Sequence, residues 1–224
     1  MLRGNLPTSG LTLNIGSSQN PEIVPAGCRL INIDIAPVQM PNFVRGQAEH
    51  LPFREGAFDN IIYFDVLEHI VEDRTAVREA WRVLRSGGRI YATIPCRKDD
   101  FFMIEFPRFL KKVDWKDMER VWGHVRRGYT RDEVRELFGQ HFSLVHMERG
   151  IANFSRIGLQ LYFLRGWDRF WYRSLLVRSF LRMFSYLDHW FCRNRGHCIF
   201  AIFERASDVA DIPTAGAYER GPRA

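Results

Sequence analysis

The sequence predicts an α/β fold: a doubly wound, mostly parallel sheet flanked by helices. Three observations predict it. Short apolar, β-rich runs recur between turn residues, a helical period separates two of them, and glycine follows the first run while an acid ends the second.

The runs are Leu11 to Ile15, Leu30 to Ile35, Asn60 to Val66, Arg89 to Ile94, Phe142 to Met147 and His197 to Phe203. Between the third and fourth, Glu72 to Leu84 spaces Val77, Ala80, Trp81 and Leu84 as one helical face, and Gly87 and Gly88 offer its C-terminal stop. Repeating strand, helix, strand early in a chain favours parallel pairing, with ligands bound beyond the carboxyl ends of the strands. The stretch between Ile15 and Leu30 is close to the shortest parallel crossover, so its helix is expected to be one turn or absent.

At 224 residues the chain fits one domain, expected over 1–205, with a helical insertion at 150–195 and a loose polar tail at 206–224. With 46% hydrophobic and 26% charged residues it can bury a core, which excludes a disordered or collagenous chain. Four scattered cysteines do not make a disulfide scaffold. No secretory signal pattern opens the chain, and no run of apolar residues is long enough to span a bilayer, so a cytoplasmic protein is expected.

Charge is uneven. Residues 1–150 carry 21 Lys and Arg against 20 Asp and Glu, whereas 151–224 carry 11 arginines against 6 acids. A site in the nearly neutral first part has no reason to serve a polyanion, so nucleic acid is not an expected partner.

The first strand runs into LNIGSSQNP (13–21) and the second ends in INIDI (31–35). A glycine at such a turn lets the backbone approach a ligand, and an acid at the next strand tip can accept both hydroxyls of a ribose. Gly16 and Asp34 fit those roles, although a lone strand-end glycine more often serves structure alone. GQAEHLPFREGAFDNIIYFDVLEHI (46–70) and EAWRVLRSGGRIYATIP (79–95) follow. In this order and spacing these segments resemble the class I S-adenosylmethionine-dependent methyltransferases. The likeness is to the type 11 branch, whose members read LNLGCG, NVDI, LPF, FD, LEH and RVLKPGG; it covers 11–95 well and 123–138 more loosely.

The resemblance implies a Rossmann-like seven-stranded sheet, S-adenosyl-L-methionine as cofactor, and transfer of its methyl group. Asn14, Gly16 and Ser17 fall on the loop that wraps the methionine part. Asp34, followed by Ile35, falls on the ribose-binding acid, Gln47 and Ala48 on the adenine stretch, and Phe64 and Asp65 beside the same crevice. Ser18 replaces a usual glycine, Gln47 a frequent aspartate and Ser86 a common proline.

His69, in LEHI, and His124, in GHVRRGYT, are the candidate bases, because imidazole titrates near neutral pH. A helix-start hydrogen bond is the structural alternative for His69, and Tyr129 is a weaker neighbour of His124. Asp65 and Glu68 either orient substrate or cap the following helix. No metal is expected: His189, Cys192, His197 and Cys198 are close in sequence, but His197 and Cys198 would point to opposite faces of a strand.

From Phe154 to Phe191 there are twelve aromatics and six arginines. Leu159, Tyr162, Phe163, Trp167, Phe170 and Trp171 form one helical stripe; Val177, Phe180, Leu181, Phe184, Leu187 and Phe191 form another. Two readings stay open. The stripes face an anionic membrane surface, giving a peripheral enzyme with a lipid-linked acceptor, or they pack on the sheet or a second copy of the chain with the arginines solvated; the resemblance implies a small-molecule, glycan or lipid-linked acceptor. A different class of reading is a non-catalytic relative whose insertion docks on a membrane or protein.

Overall fold

The computed structural model describes residues 6–17, 27–97, 123–150 and 198–206, with Ser179, Met183, Tyr186, Leu187 and Gly196 as single positions. The strands are β1 (Gly10–Ile15), β2 (Cys28–Asp34), β3 (Phe43–Arg45), β4 (Phe58–Phe64), β5 (Leu84–Pro95), β6 (Phe142–Gly150) and β7 (Cys198–Arg205). A 3₁₀ turn spans Leu67–His69, and the helices are α1 (Asp73–Val83) and α2 (Arg131–Gly139).

These strands form one seven-stranded sheet in the order β3-β2-β1-β4-β5-β7-β6. β1 to β5 pair in parallel, and β7 runs antiparallel to both of its neighbours. The chain thus reverses direction of winding at β1 and β4, where a doubly wound sheet opens its ligand crevice.

Alternation along the strands divides the core. Leu13, Ile33, Ile61, Ile90, Ala201 and Phe203 face α1 and α2 in one large buried cluster, while Ile62, Tyr91, Phe200 and Ile202 form a smaller one with Phe64. α1 buries Ala76, Val77, Ala80 and Val83. α2 opens on a capping box, Thr130 Oγ1 accepting from the Glu133 amide and the Glu133 carboxylate from the Thr130 amide, and buries Val134, Leu137 and Phe138. Phe138 stacks on Phe203 with centroids 4.3 Å apart.

Gly87 and Gly88 do not stop α1. The helix ends at Val83 because Leu84 turns extended and pairs with Phe58; both glycines lie inside β5, where the register with β4 shifts before resuming at Asn60 and Arg89. Arg205, 3% exposed, supplies the terminus instead: it donates to the Trp81 carbonyl at 3.0 Å and the Leu84 carbonyl at 2.5 Å, and lies 4.1 Å over the Trp81 ring. β3, absent from the sequence reading, is three residues long.

The predicted insertion and tail fall mostly outside the described residues, as do Ser18, His189, Cys192 and His197. Ser179, Met183, Tyr186 and Leu187 are helical; the first three, which lie off the predicted stripe, are exposed, and Leu187, on it, is partly buried. Among the described residues no helix is long and apolar enough to cross a membrane.

Candidate active site

The loop after β1 is pressed against β2: the amides of Gly16 and Ser17 donate to the Ile33 carbonyl at 2.9 and 3.3 Å. Gly16 has φ +68, and a Cβ there would stand 2.5 Å from Val66, so the residue must be glycine both to turn and to leave room. Asn14 is buried one register step earlier, donating to the Asn32 side chain at 3.0 Å. Ser17 is 5% exposed, and its hydroxyl has no partner among the described residues. A buried hydroxyl left open at a strand end is a place for a polar ligand atom.

Asp34 ends β2, half-buried, with Oδ1 accepting from the Ala36 amide at 2.9 Å. Ile35 beside it is 65% exposed, an apolar surface offered to whatever occupies the crevice. β3 extends the wall: the Gly46 amide donates to the Asp34 carbonyl at 3.0 Å, which leads directly into exposed Gln47 and buried Ala48. The next residues are fixed from α1. Glu79 accepts from the Leu51 amide at 3.0 Å, and Arg82 donates to the carbonyls of Leu51 and Phe53 at 2.9 and 2.8 Å.

Across the crevice, Asp65 follows β4 with φ +51, a left-handed conformation that aspartate tolerates better than most residues. Its amide donates to the Thr93 carbonyl at 3.0 Å, and Thr93 Oγ1 donates to its carboxylate at 3.1 Å. Although the residue as a whole is exposed, the protein packed around its carboxyl raises it above the ordinary aspartate range, opposed by Thr93 and by His124 and His69. Neither Asp65 nor Glu68 caps a helix: neither the 3₁₀ turn after Asp65 nor α1 has a side-chain cap bond.

Glu68 is 1% exposed, and burial pushes its carboxyl up to about 8, with Asp65 adding to the rise. His69 Nε2 lies 3.9 Å from Glu68 Oε1, and its Nδ1 lies 3.3 Å from the Gly123 carbonyl, so the ring is tied across to another loop and not to a helix start. The imidazoles of His69 and His124 meet edge to face with centroids 4.5 Å apart. The structure thus brings the two sequence-predicted bases together.

Sequence reasoning missed what holds His124 there. The Val125 amide donates to the Glu68 carbonyl at 3.0 Å, Arg126 donates to the Ile70 and Val71 carbonyls and pairs with Asp73, and residues 96–97 and 129 bridge to the end of β5. Tyr129 is a strut rather than a substrate contact: it is 4% exposed, and its hydroxyl lies within donating distance of the Asp73 carboxylate (2.8 Å) and the Leu67 carbonyl (3.1 Å). Burial, with Asp73 beside it, raises that phenol, so it keeps its proton.

Residues 13–92 match the family model described as a methyltransferase domain. The ubiquinone/menaquinone biosynthesis C-methyltransferase UbiE of Haemophilus ducreyi is 37% identical over 49 residues, 22% of this chain and 19% of that protein. UbiE of Bartonella quintana is 33% identical over 75 residues, 34% of this chain and 26% of that protein. The matched stretch therefore spans about a quarter or less of those relatives. Over most of the chain the fold is that of phosphoethanolamine N-methyltransferase 2 from Haemonchus contortus, at 13% identity and a TM-score of 0.56, covering 91% of this chain and 50% of that one. On its sheet order the chain has the Rossmann-like fold of that solved methyltransferase structure, and over residues 13–92 it matches the methyltransferase-domain model.

Proposed function

We propose that the chain transfers a methyl group from S-adenosylmethionine to a small-molecule or lipid-linked acceptor, in the crevice at the carboxyl ends of β2, β1, β4 and β5. The observation that carries this reading is the convergence at one sheet edge of an open glycine turn with a buried unpartnered hydroxyl, a strand-end acid, and a histidine pair. Gly16 and Ser17, with Asn14 behind them, would hold the methionine part and Asp34 the ribose hydroxyls. Ile35, Gln47 and Ala48 would meet the adenine, with Phe64 and Asp65 closing the opposite side. These residue types fit the donor: a carboxylate for a diol, an apolar exposed side chain for a flat base, and no side chain at the turn.

A sulfonium already activates its methyl carbon, so the protein's share of the work is to align an acceptor and receive at most one proton. His124 and His69 stand where that proton would go, and Asp65 faces them. The acceptor side is supported by chain path: Gly150, Cys198 and Pro95 are level in the β6, β7 and β5 register, so the connection after β6 leaves and returns at the crevice edge. Its aromatic and arginine content favours a lipid-linked acceptor at an anionic surface.

Calorimetry of the full chain with S-adenosylmethionine, S-adenosylhomocysteine and NAD tests the donor. Saturable binding of the first two alone is expected; failure of both would leave a docking module on a methyltransferase fold. Co-sedimentation with phosphatidylglycerol vesicles, against phosphatidylcholine vesicles, tests the surface.

A further inference from the structure

The Glu68, His69 and His124 cluster sets a buried carboxyl against two imidazoles. Glu68 is 99% buried, and its Oε2 has no hydrogen-bond partner among the described residues. A buried carboxyl oxygen without a partner is uncommon in folded proteins, and buried acids are kept neutral, paired or bound to cations. The nearest group offers no relief while neutral. A carbonyl accepts only, so the Gly123 oxygen 3.3 Å from His69 Nδ1 puts the ring proton on Nδ1. Nε2 is then left as a lone pair, pointed at the carboxylate oxygen 3.9 Å away.

Between these two atoms there is room for a shared proton or, in its place, for a metal ion that both can ligate. His124 completes the arrangement: one ligating atom from each of Glu68, His69 and His124 lies within 4.8 Å of the others. Around a divalent transition ion with bonds of roughly 2.0–2.2 Å, neighbouring ligand atoms sit about 3–3.5 Å apart, so small side-chain rotations close the set. The backbone is already set. Glu68 and His124 are tied through the Val125 amide on the Glu68 carbonyl, and Arg126 fastens the same loop to residues 70 and 71. The Gly123 carbonyl on Nδ1 is the outer contact that fixes the tautomer in histidine metal sites.

We propose that Glu68, His69 and His124 bind one divalent first-row transition ion, with two imidazole nitrogens and one carboxylate as ligands. Two histidines and one acid leave coordination positions open. Those positions lie beside Asp65 at the crevice, where an acceptor oxygen can take one and lose its proton more readily. This binding does not depend on methyl transfer. It competes with the base role of the histidines, since a nitrogen that holds an ion cannot receive a proton.

The test titrates the chelator-treated full chain with ZnCl₂ against a fluorescent chelator, and with CoCl₂ by visible absorption. One equivalent bound at micromolar or tighter dissociation constant is expected, with a Co²⁺ d–d band and a rise in Tm. His69→Ala, His124→Ala and Glu68→Gln should each weaken Zn²⁺ at least tenfold, consistent with the loss of a ligand, whereas His146→Ala, on β6 opposite Ile202 and outside the cluster, should not. Glu68→Gln keeps the shape and removes the buried charge, so it remains informative if an alanine variant fails to fold. No stoichiometric uptake, or uptake unchanged in all three variants, overturns the proposal and leaves the histidine pair as base. S-adenosylmethionine calorimetry on the same preparation reads the donor site separately.

Discussion

Arg82 donates to the Leu51 carbonyl at 2.9 Å while Glu79, one turn earlier on α1, accepts from the Leu51 amide at 3.0 Å. Two sequence segments that resemble the family, LPF and EAWRVL, are therefore one physical clamp, and it ends the stretch that begins at Gln47 and Ala48. Arg82 foremost, with the Leu51 amide, holds the Glu79 carboxyl below its ordinary range against the cost of burial. A depressed acid stabilises the fold above its unfolded pKa, and that contribution is lost as pH falls through the folded value. Glu79→Gln should cost about 1–2 kcal/mol at pH 7, and the difference from wild type should disappear at an acid pH below the lowered folded value. Urea unfolding at both pH values measures it. An equal gap at both would mean that the charge is irrelevant.

Asp34→Asn keeps an acceptor for the Ala36 amide but removes the charge, so the turn after β2 should survive. Hydrogen bonds to a charged group contribute about 1.5–3 kcal/mol, which converts to a loss of roughly 10–100-fold in S-adenosylmethionine affinity. Tm should move by only a degree or two. Calorimetry beside thermal unfolding separates the two effects, and unchanged affinity would remove Asp34 from the donor site.

The parts of the site that were legible in the sequence are those where chemistry and backbone coincide. Gly16 could be read because a turn and a close approach both demand glycine, and Asp34 because an acid interrupts an apolar strand tip. Phe43 to Arg45 could not: three residues are too few to show a period, and only pairing with β2 makes them a strand. Gly87 and Gly88 misled because a pair of glycines after a helical period has the form of a stop, whereas the stop comes from the pairing of Leu84 with Phe58, with Arg205, over a hundred residues later, donating to the carbonyls at that end. Glu68 was read as a cap or a substrate contact, since nothing local shows that its side chain turns into the protein. The His69 and His124 contact depends on long-range ties through Arg126 and Tyr129, which no spacing rule reveals.

Gly16→Ala separates two costs. The backbone conformation at φ +68 costs a Cβ-bearing residue about 1–2 kcal/mol, and the collision with Val66 adds to it. Adding Val66→Ala should return the collision part and not the backbone part. If the double variant regains full wild-type Tm, the turn does not require glycine for its dihedral.

Arg205 is the sharpest stability test, because it does three things at once from a position 3% exposed to solvent. It satisfies the Trp81 and Leu84 carbonyls that α1 leaves open, lies over the Trp81 ring, and stands at the end of β7, joining the last strand to the helix that clamps Leu51. Arg205→Met keeps much of the apolar stem and leaves both carbonyls without a donor. Unmet buried acceptors cost about 1–3 kcal/mol each, so a loss of roughly 3 kcal/mol is expected in urea unfolding. Arg205→Lys should recover less than half, since an ammonium on a flexible stem has no planar face to stack on the indole. If Lys recovered everything, the charge alone would be responsible. If Met cost nothing, α1 would be terminated by the Leu84 pairing to β4, with the guanidinium a passenger.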